Sequence, residues 1–304
     1  MNWIGELKKR VAGVVAEGEP LSKHTTFRIG GPADAFFEPV VEDDLATALG
    51  FLRAEGIPHI VIGLGSNLLF SDSGYRGCVV RIGKGLSDVK FDGCALEAGA
   101  GAVLAGVAKT TAGKGLAGLE SLAGIPGTIG GAIFMNVGAF NQWITLSVDH
   151  IDYIDGTGAR VRVEASELKF GTVVSYRWSV FQKYPERVIT RVGFALEEDD
   201  PAKLAEYIET INEKRKRMQP HGMPSAGSFF KNPSPPHEPA GLLIDKAGLK
   251  GLRVGGAEVS RAHANFLVNA GGATCADVLS LADEVARRVE EMFGVCLEPE
   301  VRII

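Results

Sequence analysis

No stretch of this chain is apolar for long enough to span a bilayer. Its opening residues, MNWIGELKKRVAG, lack the apolar run of a signal peptide. Cysteine is scarce: Cys78, Cys94, Cys275 and Cys296 are scattered, form no C-x-x-C pair and have no histidine at metal-ligand spacing. Each is flanked by apolar or small residues, so all four read as buried reduced thiols, and a reducing, cytoplasmic compartment is expected. The charge excess is small, at −5, which removes the electrostatic case for nucleic acid or an anionic membrane as partner. There is no P-loop, no G-x-S-x-G and no H-E-x-x-H, and the six histidines form no cluster, so no metal is expected. The one G-x-G-x-x-G, at Gly113, Gly115 and Gly118, follows a helical pattern rather than a strand. Its nearest acid, Glu120, is too close to serve a ribose, so it reads as a helix C-terminal turn.

Glycine is what the chain has in excess, 39 residues gathered in discrete loops. The rest is organised around residues 121–141, SLAGIPGTIGGAIFMNVGAFN, which carries Gly124, Gly127, Gly130, Gly131, Gly138 and Pro126 with almost no charge. Helices avoid this much glycine. Apolar neighbours mark the stretch as buried, and a buried bare backbone suits a bulky group laid directly on it. A tight irregular turn packed between sheets is the other reading of the same residues.

Hydrophobic residues at 45% and charged residues at 23% over 304 residues describe a globular chain of two or three domains. Helical spacing predicts an amphipathic helix over 3–17, through Trp3, Ile4, Leu7, Val11 and Val14. A strand over 35–39, a helix over 42–55 and a strand over 59–62 lead into the glycine loop 63–70. Strands are expected over 78–82 and 95–98, and an alanine-rich helix over 102–112. Further strands cover 148–155, 159–163 and 188–196, with a hairpin turn at 155–158. Acids and Pro201 open a helix that ends in a basic run at 214–217, and a domain boundary is placed at 198/199. A proline-rich loop over 219–239, of the kind that usually carries function, precedes a short helix over 241–247. A strand at 267–269 and a helix over 277–293 follow, the latter capped by Thr274 with Asp277 three residues on. A last strand over 296–304 puts Glu298, Glu300 and Arg302 on one face.

Three places join residue types that make chemical sense together. Residues 176–179, YRWS, set an arginine beside aromatics. Residues 226–233, AGSFFKNP, hold a hydroxyl, an ammonium and an amide. Residues 298–302, EPEVR, hold two acids and an arginine. Each also has a structural reading: a packed guanidinium, a turn-capping serine, a solvated strand edge.

Taken together, HTTFRIGG, GLGSNLL, AGIPGTIGGAIFMNVGAF, SYRWS, AGSFFKNP, AHANFLVN and LEPEVRII, in that order, resemble the UDP-N-acetylenolpyruvoylglucosamine reductase family, also called UDP-N-acetylmuramate dehydrogenase. The resemblance covers nearly the whole chain. It implies an α+β fold, with an FAD-binding part of the vanillyl-alcohol-oxidase (PCMH) type in two subdomains over 1–198. A C-terminal α+β substrate-binding domain over 199–304 would contribute its final strand to the active site. It implies a monomeric cytoplasmic flavoenzyme of peptidoglycan precursor synthesis, with noncovalent FAD and NADPH as co-substrate. Neither nucleic acid nor membrane insertion enters.

Residue by residue, the resemblance puts cofactor binding on Arg28, Gly63, Gly65, Ser66, Asn67, Leu68, Gly124, Pro126, Gly127, Gly130, Gly131 and Asn136. It puts catalysis on Arg177, Ser228 and Glu300, and substrate contact on Tyr176, Lys231, Asn232, His263 and Arg302. The chain is short between the arginine and serine motifs, so it resembles the branch without the tyrosine-bearing insertion. Met218 stands where a substrate-contacting lysine is expected, beside Lys216 and Arg217. Two other functions compete: a flavin oxidase of the same FAD-binding fold acting on an alcohol or amine, and, from another class, a non-catalytic nucleotide-sugar or flavin binding protein that has lost turnover. Neither needs Arg177, Ser228 and Glu300 together.

Overall fold

A computed structural model describes residues 2–140, 142–168 and 177–304. The helices among them are α1 (Trp3–Arg10), α2 (Glu42–Ala54), α3 (Leu104–Gly113), α4 (Ile129–Phe134), α5 (Val180–Lys183), α6 (Pro201–Met218), α7 (Ala240–Lys246) and α8 (Cys275–Phe293). The chain forms two compact units. One is built from Met1–Glu17, Ala35–Leu64 and Gly77–Glu213, the other from Gly18–Asp34, Gly65–Arg76 and Lys214–Ile304. The cut falls inside α6 rather than at 198/199, because Leu204 and Ile208 of that helix belong to the core of the first unit.

The first unit is centred on an antiparallel five-stranded sheet. Its strand order is Arg160–Glu164, Val148–Ile154, Val188–Ala195, Ala95–Gly99, Val89–Asp92. The hairpin expected at 155–158 joins the first two strands, with Ile154 opposite Arg160 and Asp155 accepting from the Thr157 and Ala159 amides. The strand His59–Ile62 pairs in parallel with Tyr75–Arg81, and α2 packs Leu45, Ala48, Leu49 and Leu52 into the same core.

The predicted helix over 3–17 is two elements. It stops at Arg10, and Val14–Pro20 is a strand. The apolar spacing does continue through Val11 and Val14, but Asp44 takes the amides of Ala12 and Gly13 at 2.8 and 2.9 Å, which a continuing helix would need. The central stretch departs in the other direction: Ile129–Phe134 is helical despite Gly130 and Gly131. The Thr128 side chain caps it, and Ile129, Ala132 and Ile133 are buried, so packing overrides the poor propensity.

The second unit has its own core, from Phe27, Phe229 and Phe230 to the apolar face of α8. Helix α8 carries the expected capping box, with the Thr274 hydroxyl and the Asp277 carboxylate each 3.0 Å from the other residue's amide. The final strand is shorter than predicted. Only Arg302–Ile303 is regular, in parallel with Leu68–Leu69, because the residues before it pair irregularly with 229–231. Two thiols also differ from expectation. Cys78 and Cys275 are buried, which pushes them up to about 12 and about 11, but Cys94 is half-buried and Cys296 is exposed beside Glu290. Among the described residues no helix is long and apolar enough to cross a membrane.

Asp44 is buried and also accepts from the Val40 amide at 3.1 Å, so one carboxylate satisfies three backbone donors. Asp44→Ala should lower unfolding free energy by about 3 kcal/mol, and Asp44→Asn by less, since it keeps one acceptor. Denaturant titration of the flavin-loaded protein measures both. A loss under about 0.5 kcal/mol for alanine would mean the three amides find other partners.

Candidate active site

In the second unit, three stretches singled out from the sequence lie side by side. Residues 226–232 form the middle track. On one side the Phe229 carbonyl accepts from the Glu300 amide at 2.7 Å, the Lys231 amide donates to the Glu298 carbonyl at 2.8 Å, and Phe230 bridges Pro299. Beyond these, the Asn67 side chain donates to the Glu300 carbonyl at 3.1 Å, and the Arg302 amide donates to the Asn67 carbonyl at 3.0 Å. The expected catalytic Ser228 and Glu300 therefore sit on adjacent, hydrogen-bonded tracks. The glycine loop expected to hold the cofactor borders the second of them.

Ser228 follows Gly227, whose φ of +80° only glycine adopts readily, and its hydroxyl makes no hydrogen bond to any described residue. Glu300 and Arg302 are half-buried. Burial lowers the pKa of Arg302, yet a guanidinium stays charged at neutral pH. Lys231 pairs with Glu298 at 3.0 Å on an exposed edge, a contact worth little by itself. Asn232 accepts from the Ala240 amide at the start of α7, at 3.1 Å. His263 is shifted downward, first by burial and then by the charge of Lys250, so its ring is neutral at neutral pH. Its Nδ1 accepts from the Asn265 amide at 3.2 Å, which leaves the ring proton on Nε2.

The loop bearing Arg28 packs on the loop bearing Gly65. The Thr26 amide donates to the Gly65 carbonyl at 3.3 Å, and a Cβ on Gly65 would strike the His24 carbonyl. These are the two stretches expected to face a pyrophosphate, and they are neighbours. Ser66 is half-buried, while Leu68 is buried and pairs with Arg302.

In the first unit, the central stretch and the arginine motif are joined. Ser179 Oγ and Gln182 Nε2 donate to the Phe134 carbonyl at the end of α4, at 2.7 and 2.9 Å. The same Gln182 nitrogen donates to the Arg177 carbonyl at 2.9 Å. Tyr176 lies outside the described residues. Gly63 meets Thr128, where a Cβ would collide with the hydroxyl that caps α4. The Gly127 carbonyl accepts from the Leu104 amide at 3.0 Å, Gly124 is half-buried and Pro126 exposed.

Among the described residues, the non-glycine residues with left-handed backbone are Arg28 (φ +56°), Asn136 (+42°), Phe140 (+51°) and Arg177 (+57°). Three of these four are residues the sequence had singled out. Such conformations are costly for ordinary residues and gather where a side chain must be aimed. At Arg28 the effect is visible: Phe27 and Ile29 are buried and Arg28 is exposed. The Asn136 side chain is buried and accepts from the Thr145 hydroxyl at 3.1 Å.

The glycines of α4 separate into two kinds. Gly130 is required by the chain itself, since a Cβ there would lie 2.8 Å from Ala100 Cβ. Gly131 is exposed and a Cβ would come no nearer than 3.4 Å, to Thr128 Oγ1. The described residues thus leave the space over Gly131 open, at a helical position where alanine would be favoured. The bare face at Gly131, the Thr128 cap and Gly63 all belong to the first unit, and bare backbone of this kind suits a flat, anionic group.

Asn265 and Thr128 were passed over in the sequence. Thr128 had a visible signal, a capping residue ahead of an apolar run. Asn265 had none beyond its place in AHANFLVN.

Gly131→Val should give folded but flavin-poor protein, read as a lower flavin-to-protein absorbance ratio at an unchanged thermal midpoint of the apoprotein. Gly130→Val should instead lower that midpoint, because its clash is with Ala100. Full flavin occupancy in Gly131→Val would place the flavin away from this helix face.

Residues 219–304 match the family model described as UDP-N-acetylenolpyruvoylglucosamine reductase, C-terminal domain, and residues 33–164 match an FAD binding domain. The UDP-N-acetylenolpyruvoylglucosamine reductase of Heliobacterium modesticaldum is 43% identical over 299 residues, 98% of this chain and 93% of that protein. That of Bacillus subtilis is 41% identical over 303 residues, 99% of this chain and 97% of its own. The crystal structure of the Thermus caldophilus reductase superposes with a TM-score of 0.80 at 36% identity, covering 96% of this chain and 99% of that one. A Physcomitrella patens protein, BBE-like 1, shares the fold alone over 64% of this chain and 44% of its own, with a TM-score of 0.50 at 16% identity. The fold is therefore α+β with an FAD-binding part of the vanillyl-alcohol-oxidase type. The chain, an FAD-dependent oxidoreductase, belongs to the UDP-N-acetylenolpyruvoylglucosamine reductase family.

Proposed function

We propose that this protein reduces the enolpyruvyl ether of UDP-N-acetylglucosamine to UDP-N-acetylmuramate, as a cytoplasmic step of peptidoglycan precursor synthesis. NADPH is the reductant. In this reading residues 199–304 supply most of the substrate contacts, and Lys231, Asn232, His263 and Arg302 line the pocket. The observation that carries the reading is the pairing of the Ser228 and Glu300 tracks, with a serine hydroxyl committed to no described residue.

Bound FAD supplies the hydride that reaches the β-carbon of the enolpyruvyl group. Arg28 would offset the charge of its pyrophosphate, the neighbouring loop amides at Gly65 and Ser66 would donate hydrogen bonds to it, and the bare backbone at Gly131 would leave room for its bulk. Hydride addition drives negative charge toward the substrate carboxylate. Arg177 is assigned to that carboxylate, where a guanidinium interacts more strongly with the developing charge than with the ground state. The α-carbon must then take a proton. Ser228 is assigned as its donor. A serine hydroxyl is a weak acid, adequate here because the carbanionic carbon is strongly basic, and the Arg302 cation steadies the alkoxide left behind. Glu300 stands opposite as the acidic partner.

No histidine or cysteine occurs in 121–141, so the flavin is held noncovalently. Acid precipitation should leave the yellow colour in the supernatant, and colour retained in the pellet would refute this.

Ser228→Ala separates the half-reactions. Bleaching of the flavin by NADPH needs only the cofactor site and should be nearly unchanged. Hydride addition to substrate is reversible until the carbon is protonated, so net reoxidation by the enolpyruvyl substrate should slow by about 100-fold or more. Ser228→Cys should retain more activity than alanine. Stopped-flow absorbance of each half decides it. Equal slowing of both halves would make Ser228 a structural residue, and an unaffected second half would remove it from the mechanism.

A further inference from the structure

Asn265 is 3% exposed, and its side chain is fully engaged with one short piece of backbone. Its Oδ1 accepts from the Phe230 amide at 2.9 Å, and its Nδ2 donates to the Phe230 carbonyl at 2.8 Å. Its own carbonyl accepts from the Phe229 amide at 2.7 Å. The side-chain amide thus does for Phe230 what a neighbouring strand would do, pairing both its donor and its acceptor. On the opposite side, the Phe229 carbonyl receives the Glu300 amide. Upstream, Ser225 bridges Val268 and its carbonyl accepts from Thr26 Oγ1 at 2.7 Å. Ser228 lies between these anchors, directly after the left-handed Gly227. A residue that follows glycine has little local constraint on its position, so the clamp on Phe229 and Phe230 is what fixes it.

We infer that Asn265 is the positioning residue that holds Ser228 at the distance and angle needed for proton delivery, by locking Phe229–Phe230 against the segment around Glu300. Asparagine suits this task. Only a side chain with adjacent donor and acceptor pairs both groups of Phe230, and glutamine would overreach by one methylene. Asn265 touches neither substrate nor flavin in this account, and acts through the serine. The inference rests on the proposed role of Ser228, and its test is arranged to tell the two apart.

The experiment measures both half-reactions by stopped flow in the flavin-loaded protein, for Ser228→Ala, Asn265→Ala and the double variant. Asn265→Asp keeps the shape and the acceptor but loses the donor, and it decides the matter if Asn265→Ala fails to load flavin. Asn265→Ala and Asn265→Asp should leave NADPH bleaching within about two-fold of the parent and slow reoxidation by the enolpyruvyl substrate by roughly 10- to 100-fold, the scale of a misplaced reacting group. The double variant should be no slower than Ser228→Ala alone, because a positioning residue has nothing left to position. Multiplying defects in the double variant, equal slowing of both halves, or an unaffected second half with Asn265 replaced would each overturn the inference. If Ser228→Ala slows reoxidation and neither Asn265 variant does, the inference fails and the function of Ser228 stands. If Ser228→Ala itself leaves reoxidation unchanged, both fall together.

Discussion

The hydrogen bond from the Glu300 amide to the Phe229 carbonyl, at 2.7 Å, is the contact on which the candidate site of the second unit depends. It is a bond between two irregular segments, neither of which has a sheet to hold it in register. Residues 226–232 and 298–301 are too short and too bent to form strands, so each relies on the other and on side chains for its backbone pairing. Asn265 completes one edge and Asn67 the other. Two buried or half-buried amides therefore stand in for strands at the margins of a miniature sheet. An apolar residue at either place would leave backbone donors and acceptors unpaired in the interior.

This explains which parts of the fold were legible in the sequence. Elements whose determinants are local came through with boundaries within two residues. Helix α8 was marked by Thr274, Asp277 and a clear apolar face, and the 155–158 hairpin by its turn residues. The errors fall where a distant group overrides the local pattern. Helix α1 stops because Asp44, more than thirty residues away, takes the amides at 12 and 13. The final strand is cut short because residues 298–301 spend their bonds on 229–231. Helix α4 exists against its glycine content because Thr128 caps it and its apolar side is buried. No window of sequence contains those partners.

The site was legible for a different reason. Composition and spacing alone left the serine, arginine and acid motifs with ordinary structural readings, and it was their ordered combination that pointed to a family. What the combination could not supply is the support beneath the reactive groups. Asn265 looks like any polar residue ahead of a strand, and only its burial and its three bonds to 229–230 distinguish it. Likewise Gly130 and Gly131 are adjacent letters of one motif, yet one is demanded by Ala100 and the other by none of the described residues.

The left-handed residues connect these observations. Arg28, Asn136 and Arg177 each hold a conformation that costs roughly 1 kcal/mol or more relative to an extended or right-handed one. The cost is borne only where surrounding contacts overdetermine the backbone. Arg28 is gripped by Phe27 and Ile29 in the core on either side, and the Arg177 carbonyl by Gln182, which is tied in turn to the end of α4. In both cases contacts within the same unit fix backbone next to the left-handed residue. Under the proposed function, a backbone fixed in advance lessens the reorganisation needed when negative charge appears beside the side chain, as wanted of groups assigned to a pyrophosphate and to an enolate-like carboxylate. Under that proposal the strain is part of the electrostatic design, and the apolar cores that each unit builds for itself offset its cost.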